Sequence, residues 1–292
     1  MKRHFLCEVI YVENVNTQKR ATIKFDVLSQ IIDKDYSYGG VTTLITGAKG
    51  AGKTTLMLRL SENLVANGEK IIWRGMSSCQ WFFSTIPVHL LLPSKDVVIA
   101  IIDPDGGSTD MKPKEVAEKV SYIRTIGDIY RKLKKGYLNV LYLLDIYEWL
   151  DLFDYLLKRR SVDWVSILFD ELEDLFPLNP SGEVWKLVER GAQQIKEFRK
   201  NYISLYAATQ KISDIDYRIL SKINYYIYLR GAKVAKNSIV SQKRVNFLEP
   251  GQGIIESSFF EQFFYENIIR PRKRAKIFFG PEAKEVEFVG SE

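Results

Sequence analysis

The sequence predicts an α/β fold, with a mostly parallel sheet covered by helices on both faces. Three observations predict it. Short apolar runs rich in β-branched residues recur along the chain, and segments of helical period separate them. A glycine-rich turn stands between one of these runs and an amphipathic stretch. The 292 residues, 46% of them hydrophobic and 27% charged, supply the core that such a sheet needs.

In chain order, residues 1–40 read as a β-rich extension. Leu6–Val12 and Thr22–Val27 alternate or run apolar, with a polar turn between them. Tyr36–Gly40 leads into Val41–Thr46, a strand by its β-branched content. Beyond the glycine turn, Leu56, Leu60 and Leu64 fall on one helical face until Gly68 ends the helix. Lys70–Trp73 and Val97–Ile102 read as buried strands. Val116, Val120, Ile123, Tyr130 and Leu133 share helical spacing, and Gly136 stops that helix. Leu138–Leu144 reads as a strand and Trp149 to Leu157 as a helix. Val165–Phe169 is a five-residue apolar strand that ends at Asp170 and Glu171. Ser181 is placed to cap a helix reaching Arg199. Ile203–Ala207 and Tyr225–Leu229 are the last two strands of this pattern. The expected organisation is the extension, one core over 41–255 with an insertion around 75–160, and a C-terminal helix and basic tail over 256–292. Phe259, Phe260, Phe263, Phe264 and Tyr265 would form that helix.

Several function classes fall away on composition. The longest apolar runs, such as Val97–Ile102, are far shorter than the ~20 residues of a spanning helix. Lys2, Arg3 and His4 imitate the start of a signal peptide, but Glu8 and Glu13 interrupt the apolar stretch and no small-residue cleavage site follows. A soluble, cytoplasmic protein is therefore expected. Cys7 and Cys79 form no C-x-x-C pair and no disulfide framework. With His4 and His89 as the only histidines, zinc sites and Ser-His-Asp or Cys-His hydrolases lack their ligands and bases. Forty-two Lys and Arg against 36 Asp and Glu leave a net charge of +6, which permits an anionic partner.

Gly47-Ala48-Lys49-Gly50-Ala51-Gly52-Lys53-Thr54 fits the pattern G-x-x-x-x-G-K-[ST] completely, with a strand before it and a helix after it. Chance alone yields roughly one such match per hundred chains of this length. Gly47, Gly50, Ala51 and Gly52 let backbone N–H groups turn inward around phosphate oxygens, and the helix N-terminus adds partial positive charge. Lys53 is expected to reach the β- and γ-phosphates, and the Thr54 hydroxyl to bind Mg²⁺. Thr55 completes the nucleotide-contacting set, and ATP with Mg²⁺ is the expected ligand pair.

Such a loop needs a partner strand ending in an acid. Val165–Phe169 provides one, with Asp170 as the Walker B metal acid and Glu171 as the base that accepts a proton from attacking water. Two adjacent acids favour hydrolysis over transfer to a small acceptor. Glu173 and Asp174 are also charged and need no role. Ile101-Ile102-Asp103-Pro104-Asp105 competes as a strand plus acid, but its proline and the two glycines behind it read as a turn. Asp103 is the alternative metal acid.

The strand Tyr202–Ala207 follows Phe198-Arg199-Lys200-Asn201 and ends in Ala208-Thr209-Gln210. A phosphate loop, an apolar strand with Asp-Glu, an arginine just before the next strand and Ala-Thr-Gln at its end together resemble the HerA/FtsK superfamily of DNA-pumping ATPases. The stretch 211–229 and Leu248-Glu249-Pro250-Gly251-Gln252-Gly253-Ile254 resemble that superfamily's later segments. The resemblance spans Val41 to Ile255, and residues 75–160 match nothing in it. It implies a RecA-like P-loop NTPase core with insertions between Walker A and Walker B. Gln210 becomes the γ-phosphate sensor, and Arg199 a finger reaching a neighbouring subunit's nucleotide. A homo-oligomeric, hexameric ring threaded by double-stranded DNA follows as an expectation, with hydrolysis conditional on assembly. The N-terminal barrel of HerA and the membrane segments of FtsK have no counterpart here. That leaves a compact motor of the genome-packaging or mobile-element kind, acting in the cytoplasm or a host's cytoplasm with a capsid or membrane partner.

Arg270-Pro271-Arg272-Lys273-Arg274-Ala275-Lys276 and Arg131-Lys132-Leu133-Lys134-Lys135 are the densest basic runs, suited to sequence-independent phosphate contacts. A small-molecule kinase shares the loop but has no use for Glu171 or Gln210. An assembly or secretion ATPase using ATP as a switch is the other alternative. The absence of L-S-G-G-Q and N-K-x-D excludes ABC ATPases and GTPases.

Overall fold

The computed structural model describes residues 11–14, 31–143, 145–257, 260–265, 268 and 273–280. In chain order its strands are β1 (Tyr11–Asn14), β2 (Thr42–Thr46), β3 (Lys70–Arg74), β4 (Val88–Leu92), β5 (Val97–Ile102), β6 (Ser108–Met111), β7 (Lys119–Tyr122), β8 (Leu138–Leu141), β9 (Val165–Phe169), β10 (Ile203–Thr209), β11 (Tyr225–Leu229), β12 (Gln252–Glu256), β13 (Phe260–Tyr265) and β14 (Arg274–Phe279). The helices are α1 (Lys53–Ala66), α2 (Pro113–Val116), α3 (Ile126–Lys132), α4 (Ile146–Lys158), α5 (Gly182–Phe198), α6 (Tyr217–Leu220) and α7 (Gln242–Asn246). Two compact units share the chain. Unit 1 takes the described residues of Met1–Leu60 and Phe169–Ile269, and unit 2 those of Ser61–Leu168 and Arg270–Glu292.

Unit 1 is organised around β2. Every residue of this strand is buried, and parallel partners flank it on both sides. Leu205 to Thr209 of β10 lie opposite Thr42 to Thr46, and Tyr225 to Tyr228 of β11 lie opposite Thr43 to Thr46. A strand buried on both faces reads as a continuous apolar and β-branched run, which is what Thr-Thr-Leu-Ile-Thr is. Beyond β11 the order continues antiparallel through β12, β13 and β1. Leu187, Val188, Ala192, Ile195 and Phe198 form the buried stripe of α5. Ser181 occupies its N-cap, without a side-chain capping bond.

The aromatic segment expected as a C-terminal helix is β13. Phe263 lies opposite Ile254 on one side and Tyr11 on the other. Spacing at i, i+3 and i+4 imitates a helix, but aromatic residues are equally at home in a strand when a ladder partner is available. The expected strand at Thr22–Val27 and most of that at Leu6–Val12 lie outside the described residues.

Unit 2 has its own parallel order, β9-β3-β8-β4-β7. A small antiparallel sheet of order β14-β5-β6 belongs to it as well, and Asp103 turns between β5 and β6 with its N–H on the Gly107 carbonyl at 2.8 Å. The continuous helix expected over Val116 to Leu133 is instead α2, β7 and α3. Thr125 caps α3 by accepting from the Asp128 N–H, and β7 pairs parallel with β4, so a ladder competes successfully with helical continuation. Strand β4, unread in the sequence, is entirely buried.

Buried polar groups in unit 2 are mutually satisfied around Asn139. Its Nδ2 donates to the carbonyls of Ile71 and Lys134, both at 2.9 Å, while its Oδ1 accepts from the Lys134 N–H at 2.8 Å. His89 Nδ1 lies 2.9 Å from the same Oδ1, and Nε2 lies 2.9 Å from Ser121 Oγ. An oxygen that already accepts forces Nδ1 to carry the imidazole proton, which leaves Nε2 to accept from Ser121. Ser166 donates to buried Glu69 in the same unit.

Candidate active site

The predicted site residues all fall in unit 1. Strand β2 delivers the chain to the glycine loop, and α1 leaves it. Gly52 has φ of 102°, a conformation that L side chains rarely adopt. At Gly47 a Cβ would stand 2.9 Å from Leu229 Cβ, so the close approach of the loop to β11 requires glycine. The Ala48 N–H donates to the Arg230 carbonyl at 3.0 Å and fixes the loop to the end of β11. Ala51 and Thr55 are buried, whereas Lys53 and Thr54 are partly exposed at the first turn of α1.

Lys53 Nζ donates to the carbonyls of Gly47 at 2.7 Å and Ala48 at 3.1 Å. Burial lowers its pKa below the usual lysine value. The carboxylates of Asp170, Glu173 and Glu171, in decreasing order, act in the opposite direction.

Asp170 follows β9 and is buried, with Oδ1 accepting the Glu171 N–H at 3.1 Å. Glu171 itself adopts left-handed backbone, φ 57° and ψ 63°, at the start of a 3-10 turn over Leu172–Asp174. A non-glycine residue there costs on the order of 1–3 kcal/mol and persists only where its surroundings enforce it. The turn carries Glu173 inward. Its Oε2 is enclosed and has no hydrogen-bond partner. Burial raises the Glu173 pKa, while its own backbone amide, then the Thr209 hydroxyl and the Gln210 amide, act the other way.

Gln210 follows the last residue of β10 and is exposed. Arg199 caps the C-terminus of α5, and its Nε donates to the Tyr38 carbonyl at 2.6 Å. The Gly40 N–H bonds to the Arg199 carbonyl at 2.9 Å, so this residue is tied to the segment that leads into β2. Asp103, the alternative metal acid, belongs to unit 2 and bonds Lys273 at 2.8 Å. Sequence reasoning gave Glu173 no role and did not foresee that its Oε2 would be enclosed without a partner.

A parallel strand, a complete phosphate loop with its helix, and a second strand ending in a buried acid define the class: a RecA-like P-loop NTPase fold. The likeness to solved structures agrees. The chain is similar to the genome packaging NTPase B204 from Sulfolobus turreted icosahedral virus 2, solved with sulfate, at 14% identity over 80% of this chain and 98% of that one, with a TM-score of 0.51. It is also similar to the bacterial conjugative coupling protein TrwB in its unbound form, at 10% identity over 78% of this chain and 85% of that one, with a TM-score of 0.53. TrwB with a non-hydrolysable ATP analogue gives the same identity and score, over 78% and 86% of the two chains. No protein-family model and no curated protein sequence matches the chain. At these identities the likeness is one of fold, and it is the RecA-like P-loop NTPase fold that the sequence predicts.

Proposed function

We propose that the chain is an ATP-hydrolysing subunit of a ring motor that moves double-stranded DNA. The observation that carries this reading is the convergence of Lys53 with the acids behind β9, at a phosphate loop fed by a strand between β10 and β11. The donor set suits the expected ligands: an ammonium and an inward-turning loop for phosphates, a hydroxyl and a buried carboxylate for a hard cation. Thr54 and Asp170 would hold Mg²⁺, which when bound neutralises charge on the β- and γ-phosphate oxygens.

In the proposed reaction Lys53 leaves the Gly47 and Ala48 carbonyls and takes phosphate oxygens instead. Glu171 accepts a proton from water as the water oxygen bonds to the γ-phosphorus and the bond to the ADP oxygen breaks. Gln210 reads the presence of the γ-phosphate. Arg199 serves the neighbouring subunit, exchanging the Tyr38 carbonyl for that subunit's nucleotide. For DNA, the alternating exposure of β14 favours Arg274 and Lys276, which lie on its outer face, whereas Lys273 is paired with Asp103. Arg270 and Arg272 lie outside the described residues. Arg131 at the end of α3 pairs with Asp128 at 2.7 Å, and Lys135 with Asp163 at 3.2 Å. No helix among the described residues is long and apolar enough to cross a membrane.

ATP turnover measured with and without duplex DNA, on the parent chain and on Glu171→Gln, tests the reading. Duplex should stimulate the parent. Glu171→Gln should still bind ATP and lose about 10²–10⁴-fold in turnover, the worth of a positioned general base. Turnover indifferent to DNA would favour an assembly ATPase or, with a phosphorylated acceptor, a kinase.

A further inference from the structure

We propose that the segment between β11 and β12, from Arg230 to Arg244, is the surface on which unit 1 contacts the phosphate backbone of duplex DNA, and that this contact is felt at the phosphate loop. The inference rests on the DNA-motor reading and gives it a contact surface on the unit that holds the nucleotide loop.

Charge is the first observation. Residues 230–248 carry five Lys and Arg and no Asp or Glu, whereas the whole chain sets 42 against 36. Arg244 is paired with Glu261. Arg230, Lys233, Lys236 and Lys243 are exposed, and none of the four has an ion pair or a side-chain hydrogen bond among the described residues. Helix α5 shows the ordinary balance, with three basic and three acidic residues between Gly182 and Phe198. A row of like charges without acids repels itself and favours an anionic partner that supplies the missing charge.

Shape is the second. The Ala232 N–H on the Leu229 carbonyl at 3.0 Å closes one turn, with Arg230 and Gly231 as its central pair. The Ser238 N–H on the Ala235 carbonyl, also at 3.0 Å, closes another, with Lys236 and Asn237 at its tip. Gln242 clasps the stretch between them: its Oε1 accepts the Val234 N–H at 3.0 Å and its Nε2 donates to the Ala232 carbonyl at 2.9 Å. Those two bonds flank Lys233 and bring Lys243, the neighbour of Gln242, to the same part of the surface. Beneath the second turn, buried Glu256 accepts from Ser238 Oγ at 2.8 Å, from the Ile239 N–H at 2.6 Å and from the Tyr228 hydroxyl at 2.7 Å. The turns are thus held from within and the cations are left outside. A row fixed in advance loses little freedom when it binds.

The third observation ties the row to the nucleotide loop. The Ala48 N–H donates to the Arg230 carbonyl at 3.0 Å. Gly231, with φ of 71°, continues the contact, since a Cβ there would stand 2.7 Å from Ala48 Cβ. A displacement of Arg230 and Gly231 toward a DNA phosphate therefore pulls on the loop expected to hold the phosphates of ATP.

Lys233→Gln/Lys236→Gln removes two charges from the row and keeps polar side chains there. Lys186→Gln/Lys196→Gln removes the same charge from exposed positions of α5 and is the control. Duplex affinity is measured across a salt series on the parent and both variants, with and without a non-hydrolysable ATP analogue, and Tm is measured alongside. The loop variant should bind about 10-fold more weakly at about 0.15 M salt, whatever the duplex sequence. Its dependence of log K on log salt should be shallower by about two, one for each lost phosphate contact. Its Tm should match the parent's, because only solvated side chains change. The analogue should change the parent's duplex affinity by about fivefold or more, duplex should change analogue affinity by the same factor, and that factor should shrink toward one in the loop variant.

An unchanged salt slope in the loop variant, an equal loss in the control, or the absence of linkage in a parent that binds duplex would overturn the proposal. If the loop variant loses Tm as well, Lys243→Gln decides on the other side of the Gln242 clasp. It should lower the slope by about one, and a parent-like slope would overturn the surface. A parent that neither binds duplex nor is stimulated by it sinks the DNA-motor reading itself, so the two failures are told apart. Retention of that parent on phosphatidylserine vesicles, lost in the loop variant, would reassign the row to a membrane surface.

Discussion

Asn139 in unit 2 and Glu173 in unit 1 are both polar groups placed by the ends of parallel strands, and the structure treats them oppositely. Asn139 is fully buried and bonded on every side, to two carbonyls, an amide and an imidazole. Glu173 has an enclosed carboxylate oxygen, Oε2, with nothing to accept from. Lys53 behaves like Glu173, resting on loop carbonyls that a ligand would displace. A saturated network contributes to folding and has no bonding capacity left for a substrate. An unsaturated one costs stability and keeps its bonding capacity for use. The comparison teaches where to look for chemistry in a fold whose two units have similar sheets.

The largest effect that would break the comparison comes from Lys53→Ala. It removes the main side-chain charge expected at the phosphates, so turnover should drop by about 10²–10³-fold or more, as when one fixed stabilising charge is deleted from an active site. Stability should hardly move. The carbonyls of Gly47 and Ala48 that Lys53 occupies lie in a partly exposed loop, where water replaces the ammonium. Calorimetry and a phosphate-release assay on the same preparation read both. A large loss of Tm with little loss of turnover would reverse the assignment of the two regions.

Asn139→Ala is the converse. It strands the Lys134 N–H, the His89 ring and the carbonyls of Ile71 and Lys134 in the interior. Destabilisation of about 3 kcal/mol is expected, since each buried group left without a partner costs about 1–3 kcal/mol and the gap relaxes in part. Turnover per folded molecule should stay within about twofold at a temperature where the variant is folded, an estimate resting on the two groups having no hydrogen-bond partner in common. Denaturant melts with a parallel activity assay measure it, and a loss of activity exceeding the loss of folded protein would break the separation.

Much of this was legible in the sequence. The phosphate loop is a contiguous string whose spacing is dictated by phosphate geometry, so Gly47 to Thr54 could be read directly. Strand β9 with Asp170 and Glu171 was equally local. Tertiary context decided the rest. The aromatic spacing of 259–265 fits a helix until β12 and β1 offer ladders. The helical period from Val116 to Leu133 gives way to β7 because β4 lies beside it, and β4, though bounded by Pro87 and Pro93, has its apolar run broken by His89. The turn that encloses the Glu173 carboxylate escaped because it starts from a left-handed residue, Glu171, and glutamate is an uncommon occupant of that conformation. The Arg199 bond to Tyr38 joins residues 161 positions apart, which no local pattern encodes.

The smallest effect sharpens the comparison from the unit 2 side and concerns pH. Burial lowers the His89 pKa below its ordinary value of 6.5; the Asn139 bond, the next largest influence, acts the other way, and the nearby Lys119 and Lys134 ammoniums add to the lowering. The folded state therefore resists a proton that the unfolded chain accepts. Below pH 6.5 the unfolded state binds more protons, so stability falls as pH drops from there through the folded-state value and levels off beneath it. Above pH 6.5 both states are neutral at this ring and the contribution is fully present. A single proton sets the ceiling of the slope at about 1.4 kcal/mol per pH unit. His4 lies outside the described residues, so His89→Gln is compared with the parent across pH 7.5 to 5, which cancels every other group that titrates in both. Melting curves of the parent should lose stability over this window faster than those of His89→Gln. The pH profile of turnover per folded molecule should be the same in both, because a saturated network in unit 2 takes no part in the chemistry of unit 1. Parallel melting curves would show that His89 titrates as freely folded as unfolded, and Asn139 would then no longer stand as a closed node.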